Sequence, residues 1–316
     1  MKLSLRPLFF SPTAAFAWFA ILLAARDISA EVFLAENSLS LAFAICTTIV
    51  VLSFAMILIS GQGLDLIAKL KSPGVLWRAT LLGTMSGAIY GGIFYLIAHM
   101  GVGLFAMIDY GLVPLATLTV GMVFFKEKVK IEFLAALVIY LVGVVFLFVE
   151  RGMFGMDLLF FALFCPIATA ASDGLTKWLL SPEHGKLTRP QLLVIRFLPA
   201  SIALFLFSYF FSEAPMAIAN WPRTLFVSVC FGWLPLWLLC TGLVRHGLSK
   251  LAIFEFLIPA VAFFGTLNLH PELIAPLPII GGFLILAAIV VSQTSFLSRL
   301  MQRKKHDVVE EESTAA

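Results

Sequence analysis

Ten stretches of about twenty residues run through this chain almost free of charge, and no single soluble core could enclose them all. They lie near residues 12–35, 39–60, 76–98, 103–125, 131–149, 156–180, 190–212, 222–244, 249–269 and 277–297. The hydrocarbon core of a bilayer, about 30 Å thick, takes roughly 20 residues of helix. Within it a helix satisfies all of its own backbone hydrogen bonds. Hydrophobic residues make up 61% of the chain and charged residues 12%. A soluble domain has roughly 45–50% and about 25%, so most of the apolar surplus must face lipid. The expected fold class is therefore an all-α polytopic membrane protein with ten transmembrane helices. The first and sixth runs are the ones most interrupted by charge.

Lys2 and Arg6, the apolar stretch from Ala14 to Ala25, and Ile28-Ser29-Ala30 also fit a signal peptide with its cleavage site. Arg26, Asp27 and Glu31 recur in modified form in the sixth run, so the segment is read as a mature helix. Lys and Arg in alternate connections set the orientation. With the N-terminus inside, cytoplasmic segments carry sixteen of them and outer segments three, Arg26, Arg151 and Arg223. Both termini are then cytoplasmic, and a multi-pass inner (plasma) membrane protein is expected. Residues 299–316 run basic through Arg303-Lys304-Lys305 and then acidic through Glu310-Glu311-Glu312. Lacking an apolar face, they read as a disordered cytoplasmic tail.

The basic residues form no stripe, which argues against nucleic-acid binding. Cys46, Cys165, Cys230 and Cys240 all fall inside apolar runs without metal-ligand or disulfide spacing. No phosphate-binding loop and no His-Glu-x-x-His motif occurs, so neither ATP hydrolysis nor zinc chemistry is expected, and no cofactor. The connections are short and lack paired acids or histidines, which disfavours a membrane enzyme acting on lipid.

A hidden repeat organises the rare residues. A shift of 145 lays Arg78 on Arg223, Gly87 on Gly232, Pro114 on Pro259 and Glu127 on Glu272. A shift of 146 lays Ala24-Ala25-Arg26-Asp27 on Ala170-Ala171-Ser172-Asp173, with Glu31 opposite Lys177. Five spans per half is an odd number, so the second half must enter the membrane upside down. Residues 10–150 and 153–298 are thus expected to form two inverted five-helix repeats, the plan of alternating-access carriers.

At this point the sequence resembles a known family. Tyr110-Gly-Leu-Val-Pro114, Phe124-Phe-Lys-Glu127 and Gly143-Val-Val are similar to the EamA-type module of the drug/metabolite transporter superfamily. Phe256-Leu-Ile-Pro259, Glu272 and Gly281-Gly282 look like its second copy, and Gln191-Leu-Leu-Val-Ile-Arg196-Phe like the Arg-containing opening of that copy's second helix. The first-half counterpart of Arg196 falls at Cys46 or Thr47, a departure from the family pattern. The resemblance implies ten helices around a central cavity lined by spans 1, 3, 4, 6, 8 and 9. It fixes no substrate, since members carry amino acids, purines, nucleotide sugars, drugs and other metabolites.

Charges at membrane depth are costly and mark functional candidates. Asp173 and Lys177 share a face of the sixth span at i, i+4 and are able to neutralise each other. In the first span the matching pair is Asp27 and Glu31, two acids on one face and so a candidate proton acceptor. Arg26 is adjacent but projects from a different face, and the outer head-group zone is an alternative place for it.

Asp109 stands five residues before Pro114, and Glu255 four before Pro259, a near-symmetric counterpart off by one position. Each couples a carboxylate to a proline that frees a backbone carbonyl one turn earlier. Arg196 is free to hold a substrate carboxylate or an acid from another helix, the ion pair being the blander reading. Tyr90, Trp233 and Trp237 offer aromatic walls for an organic solute. Gly83, Gly87 and Gly91 make a small-xxx-small face for close helix packing.

The expectation is a secondary transporter, not an enzyme, that exports small organic metabolites such as amino acids by alternating access, with protons as a candidate coupling ion. Export rests on family habit, and an uptake carrier for a vitamin, nucleoside or cofactor is the alternative. Nothing in the sequence fixes an oligomeric state.

Overall fold

A computed structural model describes residues 12–33, 38–125, 135, 138–143, 145–146, 156–211, 221–245, 255, 258, 261–262, 276–277, 279–288 and 291. Among these, all regular structure is helical, with no strand. The helices are α1 (Pro12–Phe33), α2 (Ser38–Ile59), α3 (Gly63–Leu70), α4 (Pro73–Met100), α5 (Val102–Phe125), α6 (Met156–Leu180) and α7 (Arg189–Phe211). There follow α8 (Trp221–Val227), a π-helical turn (Ser228–Trp233) and α9 (Leu234–Arg245), which continue one another, and then α10 (Ile279–Ala288).

Among the described residues, four helical segments are long and apolar enough to cross a membrane: Ser40–Ile59, Pro73–Met100, Arg189–Phe207 and Trp221–Val244. Their outward faces carry large apolar side chains such as Val51, Phe54, Leu58, Ile202, Phe205 and Phe226. That surface suits lipid tails.

Local chemistry sets the breaks. Pro73 opens α4, where its missing N–H costs nothing. Gly101 closes it at φ +78°, its N–H bonded to the Ile97 carbonyl, and α5 starts one residue later. Only glycine takes that backbone geometry without strain. At the start of α7 the Thr188 N–H donates to Gln191 Oε1 at 3.0 Å, half of a capping box.

In the π turn the Leu234 N–H reaches back five residues to the Val229 carbonyl. Pro235 follows at once, and its ring lacks an N–H and crowds the carbonyl four residues before it. The widened turn accommodates that loss.

The core forms where α2 and α4 both pack on α7, α4 and α5 on α6, and α1 on α9. The glycine face of α4 meets α7. A Cβ at Gly83 would lie 2.6 Å from Pro199 Cγ, and one at Gly87 3.3 Å from Ala200 Cα. Gly232 plays the matching part in the π turn against α2, where Ile45 Cγ2 is 2.8 Å from the same virtual atom. Gly143 lets its helix approach α10, with the Gly281 carbonyl 2.8 Å from a Cβ built there. These are the close approaches that small residues permit between helices in lipid. Glu127, Pro259, Glu272 and the tail 299–316 lie outside the described residues.

Candidate functional site

Two arginines, four acids and two tyrosines are buried at the centre of the bundle. Arg26 is 2% exposed and Asp27 fully buried within the bundle. Adjacent helical residues point about 100° apart, yet the Arg26 side chain swings back to its neighbour. Its Nε donates to Asp27 Oδ1 at 2.7 Å, and its Nη2 lies 2.6 Å from the same oxygen. The reading of Arg26 as lying off the Asp27 face is thus corrected: the long guanidinium arm reverses the offset of its Cα.

The remaining guanidinium donors go to other helices. Nη2 donates to the Tyr110 hydroxyl at 3.1 Å and Nη1 to the Tyr90 hydroxyl at 3.3 Å. Tyr110 in turn donates to Asp27 Oδ2 at 2.6 Å. The guanidinium also stands 5.3 Å from the Tyr90 ring centroid. One ion pair therefore ties α1 to α4 and α5.

Arg196 of α7 makes the second cluster. Its Nη1 stands 3.7 Å from Asp173 Oδ1 on α6, its Nε donates to Ser86 Oγ at 3.0 Å, and its Nη1 to Thr176 Oγ1 at 3.4 Å. Asp173 is thus answered from a neighbouring helix, the inter-helical reading of Arg196. Lys177 lies one turn further along α6, half-buried and away from the cavity wall. Ser86 and Tyr90 are one turn apart, so the same stripe of α4 receives both arginines.

Between the clusters lies a small cavity. It gives the centres of water-sized molecules about 50 Å³, room for a few waters. Arg26, Asp109, Tyr90 and Tyr110 line it from one half of the chain, and Asp173, Arg196, Thr169 and Glu255 from the other. Leu23, Ile89, Ile93, Leu236, Leu239 and Ile258 supply apolar wall. Lining residues recur 146 apart: Leu23 with Thr169, Tyr90 with Leu236, Ile93 with Leu239, and Asp109 with Glu255. At this shift Asp27 also falls on Asp173, and the one-residue offset between Asp109 and Glu255 vanishes.

Asp109 and Glu255 differ from Asp27 and Asp173. Asp109 is 1% exposed and neither carboxylate oxygen has a hydrogen-bond partner. Glu255 is 2% exposed, and its Oε2 likewise has none. Asp27 and Asp173 each lie beside an arginine, although Asp173 Oδ1, at 3.7 Å from Arg196, accepts no hydrogen bond either; Asp109 and Glu255 have no arginine within ion-pair distance among the described residues.

The other expected residues fall elsewhere. Trp233 and Trp237 stack at 5.3 Å, with Trp233 Nε1 donating to Ser53 Oγ at 3.2 Å. Neither lines the cavity. Pro114 is within α5 and Glu31 within α1, but their side chains lie outside the described residues, as does Pro259 altogether. Sequence reasoning missed Tyr110, Ser86 and Thr176 as site residues. Each is a polar residue on an apolar helix near a charged one, a faint signal that only the fold makes readable. Among the described residues no cluster of three or more His, Cys, Asp or Glu side chains is placed to hold a metal ion.

No family model matches the chain, and no curated protein does. A protein of known crystal structure shares the fold with a TM-score of 0.60 at 15% identity, covering 91% of this chain and 96% of its own.

Proposed function

We propose that this chain is a secondary transporter of small organic metabolites, an EamA-type member of the drug/metabolite transporter superfamily with ten spans in two inverted halves. The observation that carries the reading is the central cavity, whose wall is built from positions 146 apart and from buried ionisable groups. Buried charges in apolar helices are expensive and mark solute pathways. A site at the interface of two repeats is where alternating access needs it.

The helix pairings support the inverted repeat. Packing of α4 on α7 has its counterpart, five spans on, in packing of the π turn on α2. Packing of α4 on α6 has its counterpart in packing of α9 on α1. Gly87 and Gly232, related by 145 residues, serve these equivalent seams.

In this reading the cavity holds the substrate between the two halves. The substrate enters from one side when the halves part, sits against Arg26, Asp109, Asp173, Arg196 and Glu255, and leaves when they part on the other. The chain resides in a cell membrane with both termini cytoplasmic, as its Lys and Arg distribution favours.

Counterflow in proteoliposomes tests the proposal. Vesicles loaded with an unlabelled metabolite mixture should accumulate labelled solute from the same panel, and empty vesicles should not. A panel of amino acids, amines, nucleosides and organic acids that gives no flux above protein-free vesicles would refute the transporter reading. Product formation from a lipid in the same vesicles would replace it with an enzyme.

A further inference from the structure

The transporter reading leaves the substrate open, and the charges around the cavity narrow it. Arg26 is matched by Asp27 at 2.6 Å and Arg196 by Asp173 at 3.7 Å. Their guanidinium donors also bond Tyr90, Tyr110, Ser86 and Thr176. Each arginine thus already has a carboxylate beside it. Asp109 and Glu255 line the same cavity while almost wholly buried, with both oxygens of Asp109 and Oε2 of Glu255 unbonded and no arginine within ion-pair distance of either among the described residues. A buried carboxylate without counter-charge or donor is among the costliest groups a fold can hold. It is relieved by a bound cation that brings several N–H donors.

We infer that Asp109 and Glu255 form the subsite for the ammonium group of a small amine, whose alkyl part rests on the aliphatic wall. This rests on the transporter reading above and adds the chemical class of its substrate. Two features favour an organic ammonium over a bare metal ion. The flanking wall is aliphatic, built from residues such as Ile93, Leu236, Leu239 and Ile258. The described residues offer no cluster of three metal-ligating side chains. The cavity has room for a few waters, enough for an ammonium with a short alkyl chain.

Thermal unfolding of the full chain in detergent tests this at neutral pH, with ethylamine, ethanol, acetate and sodium chloride as the actual probes, each at matched ionic strength. Ethylamine should raise the melting temperature by a few degrees in a saturable way, because a ligand that binds only the folded state stabilises it by mass action. Ethanol and acetate of the same size should not. Asp109→Asn and Glu255→Gln should each weaken the amine effect roughly tenfold or more. Both variants should fold at least as well as wild type, since each replaces a buried carboxyl by a neutral amide of the same shape. Asp65→Asn, which alters a surface acid, should keep the full amine effect.

The inference is overturned if acetate stabilises as well as ethylamine, if both cavity variants retain the shift, or if sodium alone reproduces it. Flux separates this inference from its premise. Amine binding without amine transport into proteoliposomes would sink the transporter reading and leave the subsite standing. Transport of other solutes with no amine shift would sink the subsite alone.

Discussion

Arg26 and Asp27 form the most completely bonded charged pair at the centre of the bundle, and a double-mutant cycle there measures whether they act as one unit. The single changes are Arg26→Met, which keeps much of the apolar stem, and Asp27→Asn, which keeps the shape. Both groups are buried, so breaking the pair leaves an unmatched charge, a loss of about 3–5 kcal/mol in comparable sites. The two singles should still differ. A lone carboxyl is able to take a proton and shed its charge, whereas a guanidinium stays charged. Asp27→Asn also strips Tyr110 of a charged acceptor at 2.6 Å.

Asp27→Asn should therefore reach the top of that range or exceed it, and Arg26→Met should fall towards the bottom. The combination Arg26→Met with Asp27→Asn removes both charges and keeps the shape at position 27. It leaves the Tyr90 and Tyr110 hydroxyls short of a partner at about 1 kcal/mol each. Its total should be about 1–3 kcal/mol, far below the sum of the singles, with a coupling within the roughly 1.5–7 kcal/mol measured for close charge pairs. Equilibrium unfolding in mixed detergent micelles reads all of these values. Additivity within about 0.5 kcal/mol, or Arg26→Met costing more than Asp27→Asn, would refute the reasoning.

The glycine seam gives a graded test by thermal unfolding. Gly91→Ala meets only Leu204 Cδ2 at 3.6 Å and should stabilise by about 0.5–1 kcal/mol through its backbone. Gly83→Ala meets Pro199 Cγ at 2.6 Å and the Ile195 carbonyl at 3.1 Å, and should cost about 1–3 kcal/mol. Equal effects at both positions would show that α4 and α7 do not meet through this face.

At the surface helix, the Lys69 hydrogen bond first and the Gln191 hydrogen bond second hold the Asp65 carboxyl below its ordinary range. A depressed carboxyl adds stability that is complete above its unfolded pKa and is lost as pH falls through its folded one. The melting difference between wild type and Asp65→Asn should hold at neutral pH and shrink below about pH 4. A difference that grows on acidification would contradict the clasp.

Apolar runs announced the long helices because length and hydrophobicity are local properties, and Pro73 and Gly101 punctuate them. The α3 segment went unseen. Eight residues at a surface, held by Asp65 and Lys69 at one turn's spacing and by Gln191 from α7, owe their helicity to partners far along the chain. The π turn was equally invisible, since Pro235 signals a disturbed ladder without saying which carbonyl will be re-bonded.

Among site residues, Asp27, Tyr90, Asp109, Asp173, Arg196 and Glu255 were legible because charged or aromatic groups stand out in apolar helices. What periodicity misjudged was reach. It assigns a face to each Cα, whereas the Arg26 guanidinium travels most of its length back to the neighbouring residue. The partner of Arg196 lies on another helix, beyond what a spacing rule sees.

The two arginine pairs also differ mechanically. Arg26 and Asp27 are consecutive on α1, so their contact survives any rigid movement of that helix, and only the bonds to Tyr90 and Tyr110 register its position. Arg196 and Asp173 belong to α7 and α6, and at 3.7 Å their contact is already long for a charged hydrogen bond. A parting of these helices breaks it. Both arginines converge on one stripe of α4 through Ser86 and Tyr90. The neighbouring stripe, Gly83 and Gly87, is the one pressed against α7. A shift of α4 along α7 therefore disturbs both clusters at once, on a seam where Pro199 and Ala200 press directly on the backbone of Gly83 and Gly87.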